Sequence, residues 1–265
     1  IASTITITVN DGSSDNNFDA IADQTVSVTT TDNDTAGFTI TQSGGSTAVA
    51  ETGTTDTFTV ALDAQPTSDV VISITSSDTG EATVSGSLTF TPANWNSAQT
   101  VTITGADDNI IDGTITSTIT AEIVDVISDD DFDTVANQTV STTTTDNDTA
   151  GFTVVESGGS TSVSESGTTD TFTIVLNAQP ASDVVLTVTS SDTGEATVNS
   201  PLTFTPANWN SAQTVTVTGA DDNIIDGTIT STITVAVNDG SSDNNFDTVA
   251  DQTVSATTTD DDTAG

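Results

Sequence analysis

Apolar and polar positions alternate along short runs of the chain, as in Ile5-Thr6-Ile7-Thr8-Val9, Phe58-Thr59-Val60 and Thr100-Val101-Thr102-Ile103-Thr104. A period of two puts every second side chain on one face of an extended backbone. Each run therefore predicts a strand with one buried and one solvated face. The runs are filled mostly by Val, Ile, Phe and Thr, whose branched or planar side chains suit a pleated surface. No segment carries the 3.6-residue period of an amphipathic helix. Over one period of the chain the predicted strands fall near 37–42, 46–51, 56–63, 69–76, 81–91, 99–105, 114–124 and 134–145. Turn formers separate them: Gly44-Gly45, Asp63-Ala64-Gln65-Pro66, Ser77-Asp78-Thr79-Gly80 and Pro92-Ala93-Asn94-Trp95. Phe58, Phe90 and a layer of Val and Ile form the candidate core, with Trp95 and Trp209 closing the sandwich ends.

The pattern repeats. Phe38, Trp95 and Asp146 recur as Phe152, Trp209 and Asp260, and residues 38–151 match residues 152–265 at 86 of 114 positions. Residues 1–37 match the last 37 residues of each repeat. A period this long suits one small β-sandwich per repeat and exceeds a solenoid coil. The expected fold class is all-β: tandem immunoglobulin-like antiparallel β-sandwiches of about seven strands each. The expected organisation is a two-strand C-terminal part of a preceding repeat (1–37) followed by two full repeats (38–151 and 152–265). The two-strand part alone would leave strand edges and apolar faces unpaired. Either the parent chain continues upstream, or the hairpin completes a domain in a neighbouring identical chain and links subunits into a fibre.

Composition narrows the function. The 265 residues include 39 Asp and Glu but no Lys, Arg or His, giving a formal net charge of −39. Cys, Met and Tyr are absent, and Thr supplies 61 residues. Serine, cysteine and Schiff-base nucleophile plans and zinc-hydrolase sites cannot be built from these residues. Nucleic acid is excluded as a partner, because binding it requires Lys and Arg to displace counterions. An anionic membrane surface would repel the chain, and no apolar run is long enough to span a bilayer. Only a two-carboxylate glycosidase remains chemically available, and the aromatic subsites it needs are missing. The chain reads as a non-enzyme.

The acids concentrate at turns. In the last repeat these are Glu165, Asp192 with Glu195, Asp221, Asp222 and Asp226, and the run Asp260-Asp261-Asp262. In immunoglobulin topology the A–B, C–D and E–F turns and the end of the last strand share one pole, so these carboxylates converge there. Two like charges about 4 Å apart repel by roughly 4 kcal/mol at an effective dielectric near 20. Such a cluster protonates, splays or binds a cation. Ca²⁺ fits best, since it takes six to eight oxygens in irregular geometry, whereas Mg²⁺ demands an octahedron and keeps its waters.

Val49-Ala50-Glu51, Leu88-Thr89-Phe90-Thr91-Pro92, Thr100–Thr104 followed by Asp107-Asp108, and Asp146-Asn147-Asp148 together resemble the Calx-β domain. That family occurs in sodium/calcium exchangers and in bacterial surface proteins and adhesins. The resemblance implies several Ca²⁺ ions per repeat, held by the acid after the first strand, a C–D acid, the E–F acids and the terminal Asp pair. Carried over by motif, these are Glu51, Glu81, Asp107, Asp108, Asp112, Asp146 and Asp148 in one repeat. In the next they are Glu165, Glu195, Asp221, Asp222, Asp226, Asp260 and Asp262, and Asp32 and Asp34 stand at the matching positions of the first segment. Glu81 and Glu195 sit one residue from the family's C–D acid, and the acidic run after the E–F double Asp is shortened to Asp-Gly.

A second acidic loop lies between the last two strands. Asp15, Asn17 and Asp19 reproduce the first three ligand positions of an EF-hand loop but lack its glycine at six and glutamate at twelve. Asp129, Asp131, Asp133 and Asp243, Asn245, Asp247 are the equivalents. For this loop, ordinary Asx-turn chemistry and metal ligation are equally good readings. Immunoglobulin topology puts it at the opposite pole, facing the preceding repeat. The function that follows is a structural repeat of an extracellular, calcium-rigidified stalk, filament or matrix protein secreted by a microbe. Its partners are calcium and neighbouring repeats or identical chains. The alternative is a ligand-binding adhesin or calcium-sensing module.

Overall fold

The computed structural model describes residues 2–264; Ile1 and Gly265, the outermost positions of the first and last predicted segments, lie outside the described residues. Every regular element longer than a single 3₁₀ turn is a strand. Strands β1 (Ala2–Ile7) and β2 (Gln24–Thr29) form an antiparallel hairpin in register from Ala2 opposite Thr29 to Ile7 opposite Gln24. Its strands are exposed on both faces, with Ile7 at 61% and Val26 at 51% exposure, because among the described residues no second sheet covers it.

The first sandwich comprises β3 (Phe38–Gln42), β4 (Thr47–Ala50), β5 (Thr55–Leu62), β6 (Val70–Ser76), β7 (Ala82–Val84), β8 (Leu88–Phe90), β9 (Gln99–Gly105), β10 (Ile115–Ile123) and β11 (Gln138–Thr145). One sheet runs β3-β5-β9-β7 and the other β4-β11-β10-β6-β8. The second sandwich repeats this with β12 (Phe152–Glu156), β13 (Thr161–Ser164), β14 (Thr169–Leu176), β15 (Val184–Ser190), β16 (Ala196–Val198), β17 (Leu202–Phe204), β18 (Gln213–Gly219), β19 (Ile229–Val237) and β20 (Gln252–Thr259). Its sheets run β12-β14-β18-β16 and β13-β20-β19-β15-β17. The chain is all-β, as the alternation predicts.

Each sandwich has more strands than the expected seven because two of them divide between the sheets. The first strand breaks at Ser43-Gly44-Gly45, where Gly44 and Gly45 take φ of 62° and 82° and turn the chain across the sandwich. Asp56 pins this crossing. Its carboxylate accepts from the Ser43 hydroxyl, from the Ala48 N–H at 3.0 Å and from the Thr57 N–H at 2.7 Å, and these bonds hold its pKa below the usual carboxylate value. The run predicted at 81–91 is likewise two strands. Its first half pairs with β9 and its second with β6, across a Ser85-Gly86-Ser87 corner.

The cores hold the inward face of each alternating strand. Phe58, Phe90 and Phe132 are fully buried in the first sandwich, as are Phe172, Phe204 and Phe246 in the second. Burying such side chains stabilises each by about 1.5–3 kcal/mol. Outward faces carry Thr. β4 pairs parallel with β11, from Thr47 opposite Thr142 to Ala50 opposite Thr145. That pairing leaves the residues after both strands, Glu51 and Asp146, at the same end of the sheet.

Candidate calcium centre

Glu51 is placed by the backbone. Its N–H donates to the Thr145 carbonyl at 3.1 Å, extending the β4–β11 ladder by one bond and fixing the side chain at the pole. β9 ends on Gly105, whose missing side chain is required there: a Cβ would lie 2.0 Å from the Ala50 carbonyl oxygen. The same close approach recurs between Gly219 and Ser164, at 2.1 Å. The turn before β7 brings Glu81 in, with its carbonyl accepting from the Ala106 N–H at 2.8 Å and the Thr144 hydroxyl at 3.2 Å.

Four groups of carboxylates result. Glu51, Glu81 and Asp112 bring one oxygen each within 4.8 Å of one another, as do Glu51, Asp146 and Asp148. Glu165, Glu195 and Asp226 do the same in the second sandwich, as do Glu165, Asp260 and Asp262. The glutamate that follows β4 or β13 is therefore common to both groups of its sandwich. It is also nearly inaccessible, Glu51 being 2% and Glu165 1% exposed.

Hydrogen bonds orient the rim. The Asn147 N–H donates to Glu51 Oε2 at 3.0 Å, and its side-chain amide donates to Asp107 Oδ1 at 3.0 Å. Asp146 accepts from the Asp148 N–H at 2.6 Å and the Gly113 N–H at 2.9 Å. Asp260 does the same with the Asp262 and Gly227 N–H groups, at 2.7 and 2.8 Å, and those bonds lower its pKa. Asp108 and Asp222 accept from the N–H two residues on, at 2.7 and 2.6 Å. Asp221 adds its charge beside Asp262. Asp192 folds back on the Gly194 N–H at 2.9 Å as an Asx turn.

These bonds do not satisfy the centre. Glu81 Oε2, Asp148 Oδ2, Glu165 Oε1, Glu195 Oε2 and Asp262 Oδ2 are buried and have no hydrogen-bond donor. Buried polar atoms are nearly always partnered, so five orphan carboxylate oxygens in one pair of equivalent sites point to a missing cationic partner. The electrostatics agree. Glu81 is pushed up to about 7, first by burial and then by the charges of Asp112, Glu51, Asp108 and Asp78. Burial and neighbouring carboxylates also raise Glu51, Asp148, Glu165, Glu195 and Asp262. At 4.8 Å two carboxylates repel by about 3.5 kcal/mol at an effective dielectric of about 20.

The other candidate ligands do not converge. Asp32 and Asp34 form the same local turn as Asp146 and Asp148, with the Asp34 N–H donating to Asp32 Oδ1 at 3.0 Å. They are exposed and meet no buried glutamate among the described residues. Asp129 is buried, but its oxygens are already occupied. Thr67 N–H, the Thr67 hydroxyl and Ser68 N–H donate to Oδ2 at 2.6, 2.8 and 2.7 Å, and Asp131 N–H donates to Oδ1 at 3.1 Å. Burial raises its pKa, but those bonds outweigh it and hold the group at about 2. Asp15 and Asp243 cap the same 3₁₀ turn through the N–H groups of Asn17 and Asn245. Asp131, Asp19, Asp133 and Asp247 stay exposed on or just after that turn. The EF-hand spacing is here an N-cap spacing: an Asp accepting from the residue two ahead fixes the turn, and the loop binds the β5–β6 corner. Asn147, the donor to both Glu51 and Asp107, was not among the sequence candidates; its position between two ligand-type Asp residues is the signal that could have found it.

No family model matches the chain, and no curated protein does. Among solved structures, the calcium-binding domain CBD12 of CALX1.1 is 12% identical and CBD12 from CALX1.2 is 14% identical. They cover 75% and 74% of this chain and 80% and 79% of those chains, each at a TM-score of 0.31. Domains 1–6 of the surface layer protein SbsC are 15% identical over 92% of this chain and 30% of that one, at a TM-score of 0.35. Superposition at that level leaves the function to be argued from the acids themselves. Among the described residues no helix is long and apolar enough to cross a membrane.

Proposed function

We propose that the chain is a structural repeat protein of the Calx-β type, in which Ca²⁺ held at the acidic pole of each sandwich stiffens an extracellular stalk or filament. The observation that carries the reading is the set of buried, donorless carboxylate oxygens around Glu51 and Glu165. An all-oxygen, purely anionic ligand set is the chemistry of a hard divalent cation, and its irregular spacing suits Ca²⁺ better than Mg²⁺. Glu51, Glu81, Asp112, Asp146 and Asp148 would hold the ions in the first repeat, with Asp107 and Asp108 at the rim. Glu165, Glu195, Asp226, Asp260 and Asp262 would hold them in the second, with Asp221 and Asp222 at the rim. Because Glu51 and Glu165 each belong to two groups, at least two ions share a glutamate in each repeat. The chain is a non-enzyme on this reading, secreted by a microbe, with neighbouring repeats as its partners.

Calorimetric titration of the metal-free chain with CaCl₂ tests the proposal. The number of calcium ions bound should fall by half in Glu51→Gln and to almost none in Glu51→Gln/Glu165→Gln, and MgCl₂ should compete poorly. No heat of binding, together with no rise in melting temperature in calcium, would overturn it.

A further inference from the structure

The loop between β9 and β10 has two faces. Its acids, Asp107, Asp108 and Asp112, belong to the pole of their own sandwich, whereas the tip between them, Asn109–Ile111, reaches the second sandwich. The Gln179 N–H donates to the Asn109 carbonyl at 2.6 Å, and Ile110 forms an isolated parallel bridge with Gln179. The Asn245 side-chain amide donates to the Ile111 carbonyl at 2.8 Å, and Ile111 packs against the hydrophobic core of the second sandwich. Gln179 is itself held by its amide on the Pro206 carbonyl at 3.1 Å. The contact thus joins one loop of the first repeat to two loops of the second.

An internal comparison shows what the two isoleucines gain. The second repeat carries the same tip, Asn223-Ile224-Ile225, and there Ile224 and Ile225 are 60% and 59% exposed. Ile110 and Ile111 are half-buried. Two adjacent isoleucines flanked by acids have no use in a solvated loop, and covering them recovers apolar area.

The receiving side varies between repeats. The position of Asn245 is Asp131 in the first repeat, and it is Asn17 in the leading hairpin. An amide donates to a carbonyl, whereas a carboxylate can only accept and would meet the negative charge of the acidic loop.

We propose that Asn109–Ile111 is a docking tip whose partner is the next repeat, and that Asn245 and Gln179 are the residues that recognise it. The angle between adjacent sandwiches is then set by this contact, and position 245 decides whether a given pair of repeats locks. Asp108 holds the tip through the Ile110 N–H at 2.7 Å, but no acid of the calcium centre bonds the second sandwich, so the contact does not rest on the proposed function.

The lack of cysteine allows a clean distance measurement on the full chain. Thr75→Cys on β6 and Thr189→Cys on β15 place spin labels on exposed faces of the two sandwiches, and double electron–electron resonance reads the distribution of distances between them. Ile110→Ser/Ile111→Ser and Asn245→Asp should each broaden that distribution by about twofold or more, since sandwiches without a substantial interface move independently. The control Ile224→Ser/Ile225→Ser should leave it unchanged, and Trp fluorescence melting should show both sandwiches folded in every variant. Recording the metal-free and calcium-loaded states separates this contact from calcium stiffening. An unchanged width in Ile110→Ser/Ile111→Ser and in Asn245→Asp, or equal broadening in the control, would overturn the proposal.

Discussion

The pH dependence of stability should flatten when calcium is added. In the metal-free chain Glu81 titrates at about 7 against an ordinary value of 4.5. Between those two pH values the folded state holds a proton that the unfolded chain has released. The free energy of unfolding therefore falls as pH rises, by about 1.4 kcal/mol per pH unit for each excess proton. For Glu81, which is 5% exposed, the whole window amounts to about 3 kcal/mol in the first sandwich. Glu51 and Asp148 shift in the same direction and add to it. Calcium needs the ionised carboxylates, so at saturating calcium neither the folded nor the unfolded state carries the extra proton and stability should be level with pH over the same window. At a hundredfold excess over the dissociation constant each site adds about 2.7 kcal/mol. Each sandwich carries one tryptophan, Trp95 or Trp209. Urea unfolding of a Trp209→Phe chain, read by Trp95 fluorescence at pH 4.5, 5.5, 6.5 and 7.5 in resin-treated buffer and in calcium, gives both slopes. Glu81→Gln should flatten the metal-free slope. Metal-free stability that is constant or increases from pH 4.5 to 7 would refute the reasoning, because no group at the pole would then be holding a proton.

Other expectations follow from single contacts. Gly105→Ala forces a Cβ to 2.0 Å from the Ala50 carbonyl, so it should destabilise the first sandwich by about 3 kcal/mol or more, read as a lower Trp95 urea midpoint. Gly12→Ala, with only the Asn10 amide oxygen at 3.8 Å, should leave the midpoint unchanged. Asp129→Asn replaces an acceptor for four donors and should cost about 1–3 kcal/mol without altering calcium binding by calorimetry. Because its pKa is lowered to about 2, Asp129 contributes stability above its ordinary value of 3.8 that is lost as pH falls through about 2. The Asn variant should therefore show less acid loss in that window.

Much of this architecture is legible in the sequence, because alternation with period two marks each buried face and the repeat marks each sandwich. The division of residues 81–91 is not legible. Its alternation continues through Ser85-Gly86-Ser87, and only pairing with β9 on one side and β6 on the other distinguishes two strands from one. Glu81 looks displaced from a family position, yet the Asx turn of Asp78 onto the Gly80 N–H brings it into the centre. The loop at Asp129–Asp133 misleads in the opposite sense, since the spacing of a metal loop and of a 3₁₀ cap is the same two residues. Ile110 and Ile111 have no explanation within their own repeat, because their contact is with the next one.

The parallel ladder between β4 and β11 has a mechanical consequence. A pull from both ends of a sandwich enters through β3 and leaves through β11, and once the β3–β5 pairing gives way it draws β4 and β11 in opposite directions along their own axes. Such loading shears the paired bonds from Thr47 to Ala50 all at once, whereas a hairpin pulled from its open end peels one bond at a time. Glu51 and Asp146 stand at the end of the sheared pair, so a cation bound by both would act as a rivet across the slip plane. On that reading the chemistry that relieves the crowded acids would also set the tension at which the repeat gives way.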